Sequence, residues 1–140
     1  MDEAFAVGSL TVDIVFEKGS LKEQLVASSL GARQYRVEAQ PIFADDISYF
    51  DVIEAEPQAD GSLRFLRVIE KSSFKTDCYV LHEQVIESEQ FKKMLDNILT
   101  SGWNWEIVFG GLVYLHVPKG IDFDGEQEIQ KIYEELSRGK

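Results

Sequence analysis

Residues 33–70 read RQYRVEAQPIFADDISYFDVIEAEPQADGSLRFLRVIE, and the order of apolar and polar residues in this stretch decides the fold. Tyr35, Val37, Ala39, Pro41 and Phe43 alternate with Gln34, Arg36, Glu38 and Gln40, the period of a strand with one buried face. Asp51–Glu56 and Leu63–Lys71 make a predicted hairpin whose turn holds Asp60-Gly61, a dipeptide suited to positive backbone φ. Between the first strand and the hairpin lies Asp45-Asp46-Ile47-Ser48-Tyr49-Phe50-Asp51. Two aromatic rings among three acids suit a basic, partly apolar partner surface. The same rings, at Tyr49 or Phe50, would also serve to plug the end of a barrel.

Toward the N-terminus, Leu10, Val12, Ile14 and Phe16 alternate with Thr11 and Asp13 and predict another strand. Taken together, Gln34–Val37, Pro41–Ala44, Asp51–Glu56 and Asp60–Val68 resemble a bacterial family, domain of unknown function 4265. The order of the remaining segments fits that family from about Leu10 to the C-terminal helix. The resemblance implies no activity. Two positions depart from the family's pattern. Its Ser-Gly-His-Ser-Thr-like turn reads Ser72-Ser73-Phe74-Lys75-Thr76 here, which excludes a site built on that histidine, and the glycine expected before Asp51 is Phe50. Ser20-Leu21-Lys22-Glu23 has the form of a helix capping box with Gly31 as terminator, whereas the resemblance implies a strand over Gln24–Ala27 turning near residues 28–31. We adopt the strand. Four or five short antiparallel strands in residues 1–74 would best cover their edges by curling into a small open barrel.

Residues 75–140 change character. A strand over Asp77–His82 precedes a helix over Ser88–Ser101, with Phe91, Met94, Leu95 and Ile98 on one face and Gly102 just past its end. A hairpin follows, Trp103–Phe109 and Leu112–Val117, closed by Gly110-Gly111. The last helix starts at Asp124, an N-cap with Gln127 three positions on, and ends at Gly139. Strand, helix, strand, strand, helix is the ferredoxin-like order without its final strand. Leu112–Val117 is apolar on both faces, so the face away from the helices needs a cover, the barrel or a partner. The expected whole is an α+β chain, one compact domain in which a barrel-like sheet packs on the ferredoxin-like half.

Composition narrows the function. The chain has 140 residues, 44% of them hydrophobic, enough for a proper core. Met1-Asp2-Glu3 is acidic where a secretory signal is basic, and no apolar run approaches the roughly 20 residues that cross a bilayer. A cytoplasmic address is expected, and the single cysteine, Cys78, agrees with a reducing compartment. The net charge of −11 disfavours nucleic acid and anionic membranes, which both demand Lys and Arg. It favours a cationic protein partner, or serves only solubility.

Catalytic chemistry finds little purchase. Cys78 and His82 would lie about 13 Å apart on one strand at roughly 3.3 Å per residue, too far to share zinc at about 2.3 Å. His116 falls near the end of its own strand, remote from His82, so no metal site or cofactor is expected. These residues read as strand-end histidines and a buried thiol. There is no Gly-x-Ser-x-Gly, Gly-x-x-x-x-Gly-Lys, Gly-x-Gly-x-x-Gly or His-Glu-x-x-His pattern. Asp45/Asp46, Glu54/Glu56 and Asp122/Asp124 could pair as general acid and base, but 25 acids make such pairs common by chance. Trp103 and Trp105 share a strand face with Ile107 and Phe109, a core stripe or a stacking platform.

The expected function is a non-enzymatic cytoplasmic module that binds a basic protein through Asp45, Asp46, Tyr49, Phe50 and Asp51. An immunity protein that neutralises a basic bacterial toxin is its most concrete form, by analogy of type. The alternatives are a regulatory small-molecule-binding domain and a small carboxylate-based hydrolase or transferase. Asp122, Asp124 and Glu126 form the second candidate surface.

Overall fold

Five strands follow one another as an antiparallel meander: β1 (Ser9–Phe16), β2 (Leu21–Gly31), β3 (Gln34–Val37), β4 (Val52–Pro57) and β5 (Leu63–Glu70). They belong to a computed structural model that describes residues 9–16 and 19–138. Because an odd number of up-and-down strands leaves the first and last running the same way, closure needs a parallel pair. β1 and β5 supply it through Ile14–Leu63 and Val15–Arg64, so the expected open barrel is closed, which removes its edges. Inward side chains, among them Ile14, Phe16, Leu25, Val37, Ile53 and Leu63, form its core.

The segment after Ser20 is strand and not helix. Glu23, Leu25 and Ala27 are buried while Lys22, Gln24 and Val26 are exposed, the alternation of one sheet face, and Leu21–Ser28 pairs with β1 throughout. The strand expected from Tyr35 to Phe43, by contrast, stops at Val37. Past that point the chain leaves the sheet to form a loop over residues 38–51.

Contacts divide the chain into two compact units with the boundary between Ser73 and Phe74. The second unit contains β6 (Phe74–Val80), α1 (Glu83–Ile86), α2 (Glu89–Thr100), β7 (Asn104–Val108), β8 (Leu112–Pro118) and α3 (Gly125–Arg138). Its sheet has the order β6-β8-β7, with β8 antiparallel to both neighbours. β6 and β7 therefore run parallel with β8 between them, the split arrangement of a ferredoxin-like unit without its last strand. Phe91, Leu95 and Ile98 of α2 and Ile129 and Ile132 of α3 bury against Val113 and Leu115. Every residue from Val113 to Val117 is buried, on both faces of the strand.

The helix ends are built as their residues dictate. Ser88 accepts the Phe91 N–H at 3.1 Å, and Gly102 takes φ 85° while Trp103 and Gly102 donate to Ile98 and Leu99, a Schellman stop. Asp124 Oδ1 accepts the Gln127 N–H at 3.1 Å. Gly139, expected at the end of α3, lies outside the described residues, as do Met1, Asp2 and Glu3. No helix among the described residues is long and apolar enough to cross a membrane.

Three expectations shift. His82 leaves the strand to cap the single turn α1, its Nδ1 accepting the Gln84 N–H at 3.0 Å. Cys78 is exposed and not a buried thiol. The β7–β8 turn is centred on Phe109 and Gly110, with φ 54° and 76°, closed by Gly111 N–H to Val108 at 3.3 Å. Phe109 is thereby turned out to 79% exposure and drops off the stripe of Trp103, Trp105 and Ile107, which packs on the helical core.

Gly125 opens α3 beneath Tyr79, where an added Cβ would stand 2.7 Å from the Tyr79 hydroxyl and 3.3 Å from Leu115. Burial, with the charges of Asp77, Asp124 and Glu126, raises the Tyr79 phenol from its ordinary 10.0 to about 12. Gly125→Ala is expected to lose about 1–3 kcal/mol in urea unfolding, overpacking outweighing the gain in helix propensity. The folded state holds the Tyr79 proton more tightly than the unfolded chain. Its contribution is therefore complete below about pH 10 and disappears as pH rises toward 12. Tyr79→Phe should flatten that alkaline decline when unfolding is followed across this range.

Candidate functional site

An acid on the inner face of a barrel strand is costly unless its oxygens find donors. Glu23 finds them in the loop that follows β3. Its carboxylate accepts the N–H of Ile42 at 2.6 Å, Phe43 at 3.1 Å and Ala44 at 3.0 Å. Three successive amides thus converge on one group that is only 7% exposed. Pro41, immediately before them, brings no N–H and a fixed φ, so the chain enters the clamp in a restricted conformation.

A second buried acid closes the loop's other end. Asp51 is 0% exposed; its Oδ2 accepts the Ser48 N–H and its Oδ1 the Ser72 N–H, both at 2.8 Å. Lys71 Nζ stands 3.9 Å away. Val37 also binds this end twice, donating to the Asp51 carbonyl at 2.9 Å and accepting from Phe50 at 2.7 Å. Phe50 adopts φ 72°, a left-handed conformation that costs a side chain about 1–2 kcal/mol. That geometry accounts for the glycine expected before Asp51. The Phe50 ring is held by stacking on Tyr49, with centroids 5.1 Å apart, and by the Arg36 guanidinium 5.2 Å from its centre.

The loop residues therefore divide. Asp45 and Asp46 are exposed and Phe50 is half-buried, whereas Tyr49 and Asp51 are interior. Tyr49 and Asp51, both expected on the partner surface, are corrected by their burial, and Asp51 gives its oxygens to the amides of Ser48 in the loop and Ser72 beyond it. Sequence reasoning missed Phe43, which the clamp holds at 63% exposure beside the two acids, and Glu23. The signals were present: an acid at an inward position of an alternating strand, and an apolar residue just past a proline.

The other acidic pairs serve different ends. Glu54 pairs with Arg67 at 2.8 Å, and Glu56 with Arg64 and Arg33 on the barrel surface. The hydrogen bond and charge of Arg64 hold the Glu56 carboxyl below its ordinary range. His116 does fall near the end of its strand, two residues before Pro118, but that strand is the central one and the side chain is fully buried. Its Nδ1 lies 2.8 Å from the Thr76 hydroxyl and its Nε2 2.7 Å from Glu106. Exposed Cys78 and the helix-capping His82 are not part of this network. Among the described residues no group of three His, Cys, Asp or Glu side chains could hold a metal ion.

A family model described as "Domain of unknown function (DUF4265)" matches residues 23–139. The chain also resembles a solved structure described as "Novel crystal structure of a hypothetical protein from Neisseria gonorrhoeae". Identity is 20%, the TM-score is 0.56, and the match covers 93% of this chain and 88% of that one. That likeness concerns the fold. No curated protein matches.

Glu23→Ala leaves the amides of Ile42, Phe43 and Ala44 without their acceptor and should cost at least about 3 kcal/mol in chemical unfolding. At position 50 the order of stability should separate strain from packing. Phe50→Gly sheds the left-handed strain together with the ring, whereas Phe50→Ala keeps the strain. Phe50→Gly should then be the more stable of the two by about 1 kcal/mol.

Proposed function

From a chain that belongs to the DUF4265 family of domains of unknown function, we propose a non-enzymatic, cytoplasmic protein-binding module. Its partner is a basic protein, and a bacterial toxin neutralised by direct binding is the form that best suits a small acidic chain. The single observation that carries this reading is the clamped loop, which presents an exposed Phe43 beside Asp45 and Asp46.

Each part has a physical role in recognition. Holding an aromatic ring largely in water forfeits apolar burial, of order 25 cal/mol per Å², and a partner pocket would recover it. A loop already ordered by Glu23 and Asp51 loses little freedom on binding, which lowers the entropic cost of association. Acids beside an apolar anchor steer a cationic surface toward it and set its orientation, and the net charge of −11 extends that attraction beyond the loop. Phe50, half-buried, has its ring held by Tyr49 and by the Arg36 guanidinium.

The direct test places a photo-crosslinking amino acid at position 43 in the native host and identifies the captured protein by mass spectrometry. A basic protein captured from position 43 but not from an exposed barrel position such as Leu66 supports the reading. Equal capture at both, or capture of acidic proteins, opposes it. With the partner in hand, Asp45→Lys combined with Asp46→Lys should abolish binding through like-charge contact, while stability moves by about 0.5 kcal/mol or less. Association measured by stopped flow should slow steeply with salt, because steering acts over about 10 Å at 0.1 M.

A further inference from the structure

α2 and α3 leave a groove between them, with a volume of about 530 Å³, inside the range of small-molecule sites, roughly 300–1,000 Å³. Its floor is apolar, made by Met94, Ile98 and Ile132, which belong to the helical core. One end is closed by two rings. Trp103 follows the stop of α2 and Phe123 precedes α3, and they meet edge to face with centroids 5.5 Å apart.

The charges of the walls distinguish this groove from an ordinary helix crevice. The chain as a whole carries −11, yet the charged residues lining the groove balance: Lys93 and Lys131 against Glu128 and Glu135. Lys131 and Glu128 pair with each other along α3 at 3.4 Å. That leaves Lys93 on the α2 wall and Glu135 on the α3 wall. Neither has an oppositely charged partner within 4.0 Å among the described residues, so the two do not pair across the groove. A free cation and a free anion on opposite walls above an apolar floor complement one kind of small molecule, an apolar body that carries both charges.

We propose that the α2–α3 groove binds a zwitterionic amphiphile of amino-acid size, with a large apolar side chain. Its carboxylate faces Lys93, its ammonium faces Glu135, and its side chain lies on Met94, Ile98 and Ile132 against the Trp103–Phe123 pair. A plain carboxylate would meet Glu135 unpaired, and a plain amine would meet Lys93 unpaired, so each is discriminated against by the charge it lacks. The inference rests on the second unit alone and stands whether or not the loop of residues 38–51 binds a protein.

The test uses the full chain and tryptophan emission, since both tryptophans, Trp103 and Trp105, lie in this unit. L-phenylalanine is titrated beside 3-phenylpropionate, which lacks the ammonium, and phenethylamine, which lacks the carboxylate. The expected result is saturable binding of L-phenylalanine at or below about 1 mM, at least about tenfold tighter than either control. Lys93→Gln and Glu135→Gln, both at exposed helix positions, should each weaken it by about fivefold or more while circular dichroism stays unchanged. The proposal is overturned by no saturable response up to about 10 mM, by controls that bind as tightly as the amino acid, or by an unchanged affinity in either variant.

Discussion

The carboxylate of Glu23 is the constraint on which the candidate surface depends. Three consecutive backbone amides aim at it, and the arrangement is mutually required. Without the amides, a buried acid at an inward barrel position would leave its oxygens without donors, at a cost of roughly 2–7 kcal/mol, the range typical of an unsatisfied polar group. Without the acid, Ile42, Phe43 and Ala44 would carry donors with no acceptor in a part of the chain that belongs to neither a strand nor a helix. Charge-assisted bonds of this kind are about twice as strong as neutral ones. The loop is thus held by its backbone, and its side chains at positions 43, 45 and 46 are left exposed.

Asp51 does the same work at the far end of the loop through Ser48 and Ser72. With both ends tied, the strain at Phe50 can persist, because the surrounding bonds over-determine its backbone. The same logic applies in the second unit at Phe109, where a tight two-residue turn forces a left-handed aromatic residue outward. In both places a position that favours glycine carries phenylalanine, and in both the ring comes to lie wholly or partly at the surface.

Much of the architecture was legible in the residues. Alternation found β1, the Asp60-Gly61 turn marked the hairpin of β4 and β5, and Ser88, Gly102 and Asp124 marked helix ends, because each of these signals is local. The end of β3 at Val37 was not legible. The apolar alternation runs on to Phe43, and only a distant acceptor, Glu23, diverts the amides from the sheet. The interior role of Asp51 was hidden for the same reason, since its partner Ser72 lies 21 residues on. The burial of His116 was not legible either, because its partners Thr76 and Glu106 come from β6 and β7 on either side of β8, an arrangement that composition does not encode. What a sequence shows poorly is a polar side chain that satisfies backbone groups far along the chain.

The clamp is tested most directly by amide hydrogen exchange, resolved residue by residue by NMR on the unmodified protein. The account predicts that Ile42, Phe43 and Ala44, although outside any strand or helix, exchange with protection comparable to barrel amides such as that of Ala55, which donates to Arg33 at 3.0 Å. Exchange of those three amides at the rate of an open loop, with the barrel amides still protected, would contradict it.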